Sequence, residues 1–151
     1  MNHPMRAVAI LIFLASAVEA LAQIPRDFVD KTVPKKYPQL ITYIRTNGPQ
    51  KINWTTESRE KQSMSISLTN DNHLVIEAEM FFGSASTASS TKEKTRVVMT
   101  DRKLDGMIGR LEATPPGGNK QFFENPRDEG SMFLWYSSLA IAFSRSPCCS
   151  K

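Results

Sequence analysis

A chain of 151 residues is long enough for one domain with a hydrophobic core and too short for two well-buried ones. With 40% hydrophobic and 23% charged residues, its usage is that of a globular protein, which excludes a disordered tail and a multi-span membrane protein. The net charge of +4 is scattered, with basic residues beside acids in "SREK" and "TKEKTR", so it gives loose attraction to anionic surfaces. It does not make the clustered, aromatic-interleaved stripe of a specific nucleic-acid binder.

Residues 1–22 have the anatomy of a secretory signal: Arg6, an apolar run from Ala7 to Val18, and an A-x-A site at Ala20, Leu21 and Ala22. The run is shorter than the roughly 20 residues a transmembrane helix needs, and Glu19 closes it. The expectation is a secreted or periplasmic protein with no transmembrane segment after cleavage. Cleavage removes one cation and one acid, Arg6 and Glu19, so the mature chain keeps its charge of +4.

Residues 23–38 contain Pro25, Pro34 and Pro38 and few apolar groups, and read as an extended leader whose Phe28 and Val29 dock on the body. A single α+β domain is expected over 39–147. It opens with a short helix on Leu40, Tyr43 and Ile44, stopped by Asn47, Gly48 and Pro49. "KINWTT" supplies a strand with Ile52 and Trp54. Within it, Asn53, Trp54 and Thr55 form an N-glycosylation acceptor pattern that matters only in a eukaryotic secretory pathway.

The period then changes from helical to alternating. Met64, Ile66 and Leu68 alternate with Ser63, Ser65 and Ser67. After the turn Asn70 to Asn72, Leu74, Ile76, Ala78, Met80 and Phe82 alternate with Glu77 and Glu79. These runs form a hairpin. Gly83 to Lys94, small and hydroxyl-rich, reads as a mobile loop. If "TRVVMT" pairs back, Val97 and Met99 enter the core while Lys94 and Arg96 face Glu77 and Glu79 across the strands. Gly106 to Ala113 reads as a further strand, and Pro115, Pro116, Gly117 and Gly118 break the chain.

The last segment carries helix signals: Asn125 as cap, Pro126 in the first turn, Asp128 and Glu129 beside the positive end of the dipole. Met132, Trp135, Tyr136, Leu139 and Phe143 then recur on one stripe. The expected architecture is α+β: a short N-terminal helix, an antiparallel sheet of four to five strands, and a C-terminal helix packed on one sheet face.

Chemistry concentrates in "TDRKLDGMIGRLE". Counted from Asp101, the stretch places Asp101, Asp105 and Glu112 at calcium-ligand positions of an EF-hand loop, with Gly106 at the sharp turn. Lys103 replaces an acidic ligand, Arg102 and Arg110 repel a cation, and the flanks alternate like strands. The favoured reading is therefore a turn at Asp105 and Gly106 with Asp101 capping nearby amides. Calcium on Asp101, Asp105 and Glu112 is the alternative, and no other cofactor is indicated.

His73 is the one histidine left after the signal, which excludes multi-histidine zinc sites. It neighbours a turn, and no "GxSxG" elbow accompanies it. Glu77 and Glu79 share a strand face at a spacing a glycosidase pair would use, but basic neighbours keep such carboxylates ionised. Cys148 and Cys149 stand in a tail of residues 148–151. They admit free thiols, a bridge between neighbours or bridges to another molecule, and the short reach between adjacent residues favours unpaired or intermolecular thiols. The functional expectation is a small exported binding protein without catalysis, using the outer sheet face or the serine-rich loop against a protein or an anionic polymer. A calcium-stabilised module and a small secreted hydrolase are the alternatives.

Overall fold

The computed structural model describes residues 24–55, 59, 61–81 and 94–149, with the side chains of residues 80 and 81 left aside. The signal-like segment, Phe82 and all but the last residue of the serine-rich loop lie outside the described residues. Over the described residues the fold is α+β, with two helices and one antiparallel sheet.

The first helix opens as a π-helical turn, Phe28–Thr32, closed by a Val33 amide donating to the Phe28 carbonyl, and runs on as α1, Val33–Asn47. The extended leader expected over 23–38 is therefore corrected, because most of it is helical. The apolar stripe begins earlier than Leu40: Val33, Tyr37, Leu40, Ile41 and Ile44 are all buried. Pro34 and Pro38 fall on the exposed side of α1. Pro38 cannot donate to the Pro34 carbonyl, but that carbonyl lies where water reaches it, and the buried stripe outweighs the lost bond. The helix stops where expected, at Gly48, with φ of +84°.

The sheet runs in simple meander order through β1 (Gln50–Thr55), β2 (Lys61–Leu68), β3 (Leu74–Phe81), β4 (Lys94–Asp101), β5 (Arg110–Thr114) and β6 (Gln121–Glu124). Among the described residues there are six strands in place of the four to five expected. β6 was hidden because it has only four residues and its adjacent Phe122 and Phe123 show no polar alternation. β5 also starts four residues later than the strand expected from Gly106.

One sheet face holds the core. Ile52, Met64, Ile66, Leu74, Ile76, Ala78, Val97, Met99 and Leu111 are buried in one cluster with the apolar residues of both helices. The second helix, α2 (Glu129–Arg145), buries Leu134, Trp135, Tyr136, Leu139, Ala142 and Phe143. Its cap is Asp128, whose carboxylate accepts from the Ser131 amide at 3.0 Å, and not the expected Asn125. Asn125 closes β6 instead, its amide donating to the Gly109 carbonyl at 2.8 Å with φ of +46°. The following proline keeps this residue out of the helical region. Among the described residues no helix is long and apolar enough to cross a membrane.

Candidate functional site

The open face of the sheet is assembled by register. One cross-strand row runs Lys51, Ser65, Glu77, Val98, Glu112 and Phe122, and the next runs Asn53, Ser63, Glu79, Arg96 and Thr114. These residues alternate with the core residues along every strand, so the period of two that buries Ile66 and Ile76 also aims Ser65 and Glu77 outward. The Arg96 guanidinium donates to the Glu77 carboxylate at 3.1 Å, as the charge pattern predicted. Arg110 pairs with Glu112 at 3.3 Å and with Glu124 at 3.5 Å, and its guanidinium lies 4.5 Å from the centre of the Phe122 ring. Among the described side chains, Phe122, 51% exposed, is the large apolar one that this face presents to water.

A shallow basin of about 300 Å³ opens over β2, β3 and β4, lined by Lys51, Ser63, Ser65, Glu77, Glu79 and Arg96. Two carboxylates, two cations and two hydroxyls can take up both charge signs and several hydrogen bonds. Glu77 is already ion-paired to Arg96 on the open surface, and is not set in the cleft a glycosidase pair needs.

The three candidate metal ligands are not brought together: the described residues contain no group of three or more His, Cys, Asp or Glu side chains placed to hold a metal ion. Asp101 lies on the core side, 1% exposed, and its carboxylate accepts from the Tyr37 hydroxyl at 2.6 Å and from the amides of Gly106 at 2.9 Å and Lys103 at 3.1 Å. Asp105 turns back to the Met107 amide at 3.0 Å, and Glu112 lies on the outer face with Arg110. The amide-capping role read for Asp101 is thus what its side chain performs. Burial raises the Asp101 pKa and outweighs the hydrogen bonds that pull it down, the one from Tyr37 being the largest of these. Desolvation likewise pushes the Tyr37 hydroxyl far above its ordinary range, assisted by its bond to Asp101.

Sequence reasoning missed Tyr37 altogether, since it was placed in the leader. The signal was available: Tyr37 lies four residues after Val33 and three or four before Leu40 and Ile41, on one helical stripe. The Trp135 indole completes the node by donating to the Gly106 carbonyl at 2.9 Å. Gly106 has φ of +84°, which strains any larger residue, and a Cβ there would come 3.2 Å from Val33 Cγ1 and press on it. His73 stands at the hairpin turn, its backbone amide donating to the Thr69 hydroxyl at 3.1 Å.

Cys148 and Cys149 are joined to each other by a disulfide, correcting the expectation of unpaired or intermolecular thiols. The supposed tail is also partly core, because Cys149 is 2% exposed and packs in the main cluster. One turn places them there: the Cys149 amide donates to the Ser146 carbonyl at 3.3 Å, and the pair lies back against α1, with the Cys149 sulfur 3.7 Å from the Lys36 carbonyl oxygen. No protein-family model matches this sequence, no curated protein is similar to it at a significant level, and no solved structure matches its fold at that level.

Proposed function

We propose that the chain is a small exported binding protein without catalysis, and that the outer sheet face is its contact surface for a polypeptide partner. The observation that carries this reading is the asymmetry of the sheet. Both helices lie on one face, and among the described residues no element covers the other, which presents hydroxyls, paired charges and one exposed aromatic ring. A polypeptide is favoured over an anionic polymer because Arg96 and Arg110 are already bonded to carboxylates, and a polyanion would have to displace them. A polypeptide carrying both charge signs can exchange partners with such pairs, and Phe122 under Arg110 supplies an apolar anchor at the rim.

The test is site-directed photocross-linking with the mature protein in its own extracellular or periplasmic fraction. Cross-linkers replacing Ser65 or Val98 on the outer face are expected to capture one protein species, and one replacing exposed Arg45 on α1 is expected to capture none. Equal capture from both sides, or capture from α1 alone, overturns the assignment. The Glu77→Lys variant should weaken capture at Ser65, and adding Arg96→Glu should restore part of it.

A further inference from the structure

We propose that Cys148 is a covalent acceptor site for a low-molecular-weight thiol, with Cys149 as the leaving group held by the backbone of α1. The inference rests on the unequal surroundings of two bonded neighbours. Cys148 is only partly buried and forms a wall of an open groove of about 460 Å³, shared with Pro38, Gln39, Thr42, Tyr43 and Asn47 of α1. That volume lies in the range of small-molecule sites, about 300–1,000 Å³. Cys149 is 2% exposed, its sulfur 3.7 Å from the Lys36 carbonyl oxygen.

In the disulfide, the Cys149 sulfur has no hydrogen to give the Lys36 carbonyl, which as a helix carbonyl is bonded by the Leu40 amide and keeps one lone pair facing the sulfur. Once reduced, the same sulfur carries a proton and donates to that oxygen. The environment therefore receives a Cys149 thiol better than it receives the bridged sulfur. The step balances without an external oxidant. The thiolate of the incoming molecule attacks the Cys148 sulfur from the groove, the bond to Cys149 breaks, and the electron pair leaves with the Cys149 sulfur, which takes up the proton the incoming thiol lost. The products are a mixed disulfide on Cys148 and a thiol on Cys149 bonded to Lys36. Burial makes Cys149 a slower leaving group as well as a poorer nucleophile, so access from the groove directs the attack to Cys148, and the return attack is slow once the adduct has formed.

The groove wall is uncharged and mostly apolar, with a few amides and hydroxyls beside Pro38 and the Tyr43 ring, and α1 around it carries Lys35, Lys36 and Arg45 with no acid. This favours a thiol bearing carboxylates, and reduced glutathione is a suitable probe, with cysteamine as its cationic counterpart. The purified oxidised protein is incubated with each thiol and analysed by intact mass and by fragment ions that divide Cys148 from Cys149. One glutathione on Cys148, formed faster than the cysteamine adduct, is the expected result. An adduct on Cys149, equal labelling of both residues, no adduct at millimolar thiol, or a purified protein carrying two free thiols overturns the proposal.

The variants give a second measurement. With oxidised glutathione, Cys149→Ser should be thiolated at Cys148 roughly tenfold or more faster than Cys148→Ser is at Cys149, from exposure and protonation together. Equal rates count against the proposal. Should Cys148→Ser fail to fold, the site mapping in the natural protein still decides.

Discussion

The two faces of the sheet are built from the same strands in the same register, yet a carboxylate means opposite things on each. Asp101 on the inner face is withdrawn from water and has its bonding capacity taken up by Tyr37 and two amides. Glu77, on the outer face, is half exposed and shares one arginine at the surface. Burial converts a polar side chain into a structural fastener whose loss strands its partners, whereas exposure leaves it exchangeable and energetically light. The contrast places the stability terms on one face and leaves the other open for the recognition proposed above.

Substitutions should separate the faces by size of effect. Ile76→Ala, removing a fully buried side chain at the sheet centre, should cost about 3–4 kcal/mol in urea unfolding, since the close-packed strands leave little room to collapse. Asp101→Ala should cost about 3 kcal/mol by leaving the Tyr37 hydroxyl and two loop amides without acceptors, and Tyr37→Phe should cost roughly 1–2 kcal/mol. A smaller result for Asp101→Ala than for Glu77→Gln would end the distinction between the faces.

The pH dependence of unfolding sharpens it. A raised pKa means that the folded state holds its proton more tightly than the unfolded chain. The Asp101 contribution is therefore complete below the ordinary carboxylate value near ~4 and declines as pH rises through the raised folded value. The Tyr37 and Tyr136 contributions are complete below about pH 10 and decline above it, where the unfolded tyrosines ionise first. Denaturation followed against pH should lose the acid-side decline in Asp101→Asn and lose part of the alkaline decline in Tyr37→Phe.

At the outer face, Glu77→Gln should change stability by less than about 0.5 kcal/mol, because its ion pair is solvent-exposed. Its effect should appear in partner capture instead. Calcium should leave the thermal midpoint unchanged, since the Asp101 oxygens are already engaged and Glu112 is paired with Arg110. A midpoint that climbs with calcium concentration would reopen the loop as a metal site.

The alternation of β2, β3 and β4 was legible because a half-buried strand must put every second residue in the core, and the Glu77 to Arg96 pair followed from it. The last helix was legible in its period, though not in its start: Asn125 and Asp128 are both good caps, and only the pairing of β5 with β6 assigned Asn125 to the strand end. The first helix was misjudged because three prolines outweighed the stripe through Val33 and Tyr37, a weighing that changes once the prolines are seen to face water. The candidate site divides in the same way. Outer-face residues were readable from period two, but Tyr37 and Asp101 stand 64 positions apart, and no local pattern announces such a bond.

By itself, then, the sequence determined the class of fold, the faces of the central strands and the end of the first helix, because these depend on spacing between near neighbours. Tertiary structure decided what Tyr37 holds, that Asp101 is a buried fastener instead of a free ligand, and that Cys149 is seated against α1. These depend on contacts between distant segments, and burial, which no short stretch encodes, sets the character of every polar group in them.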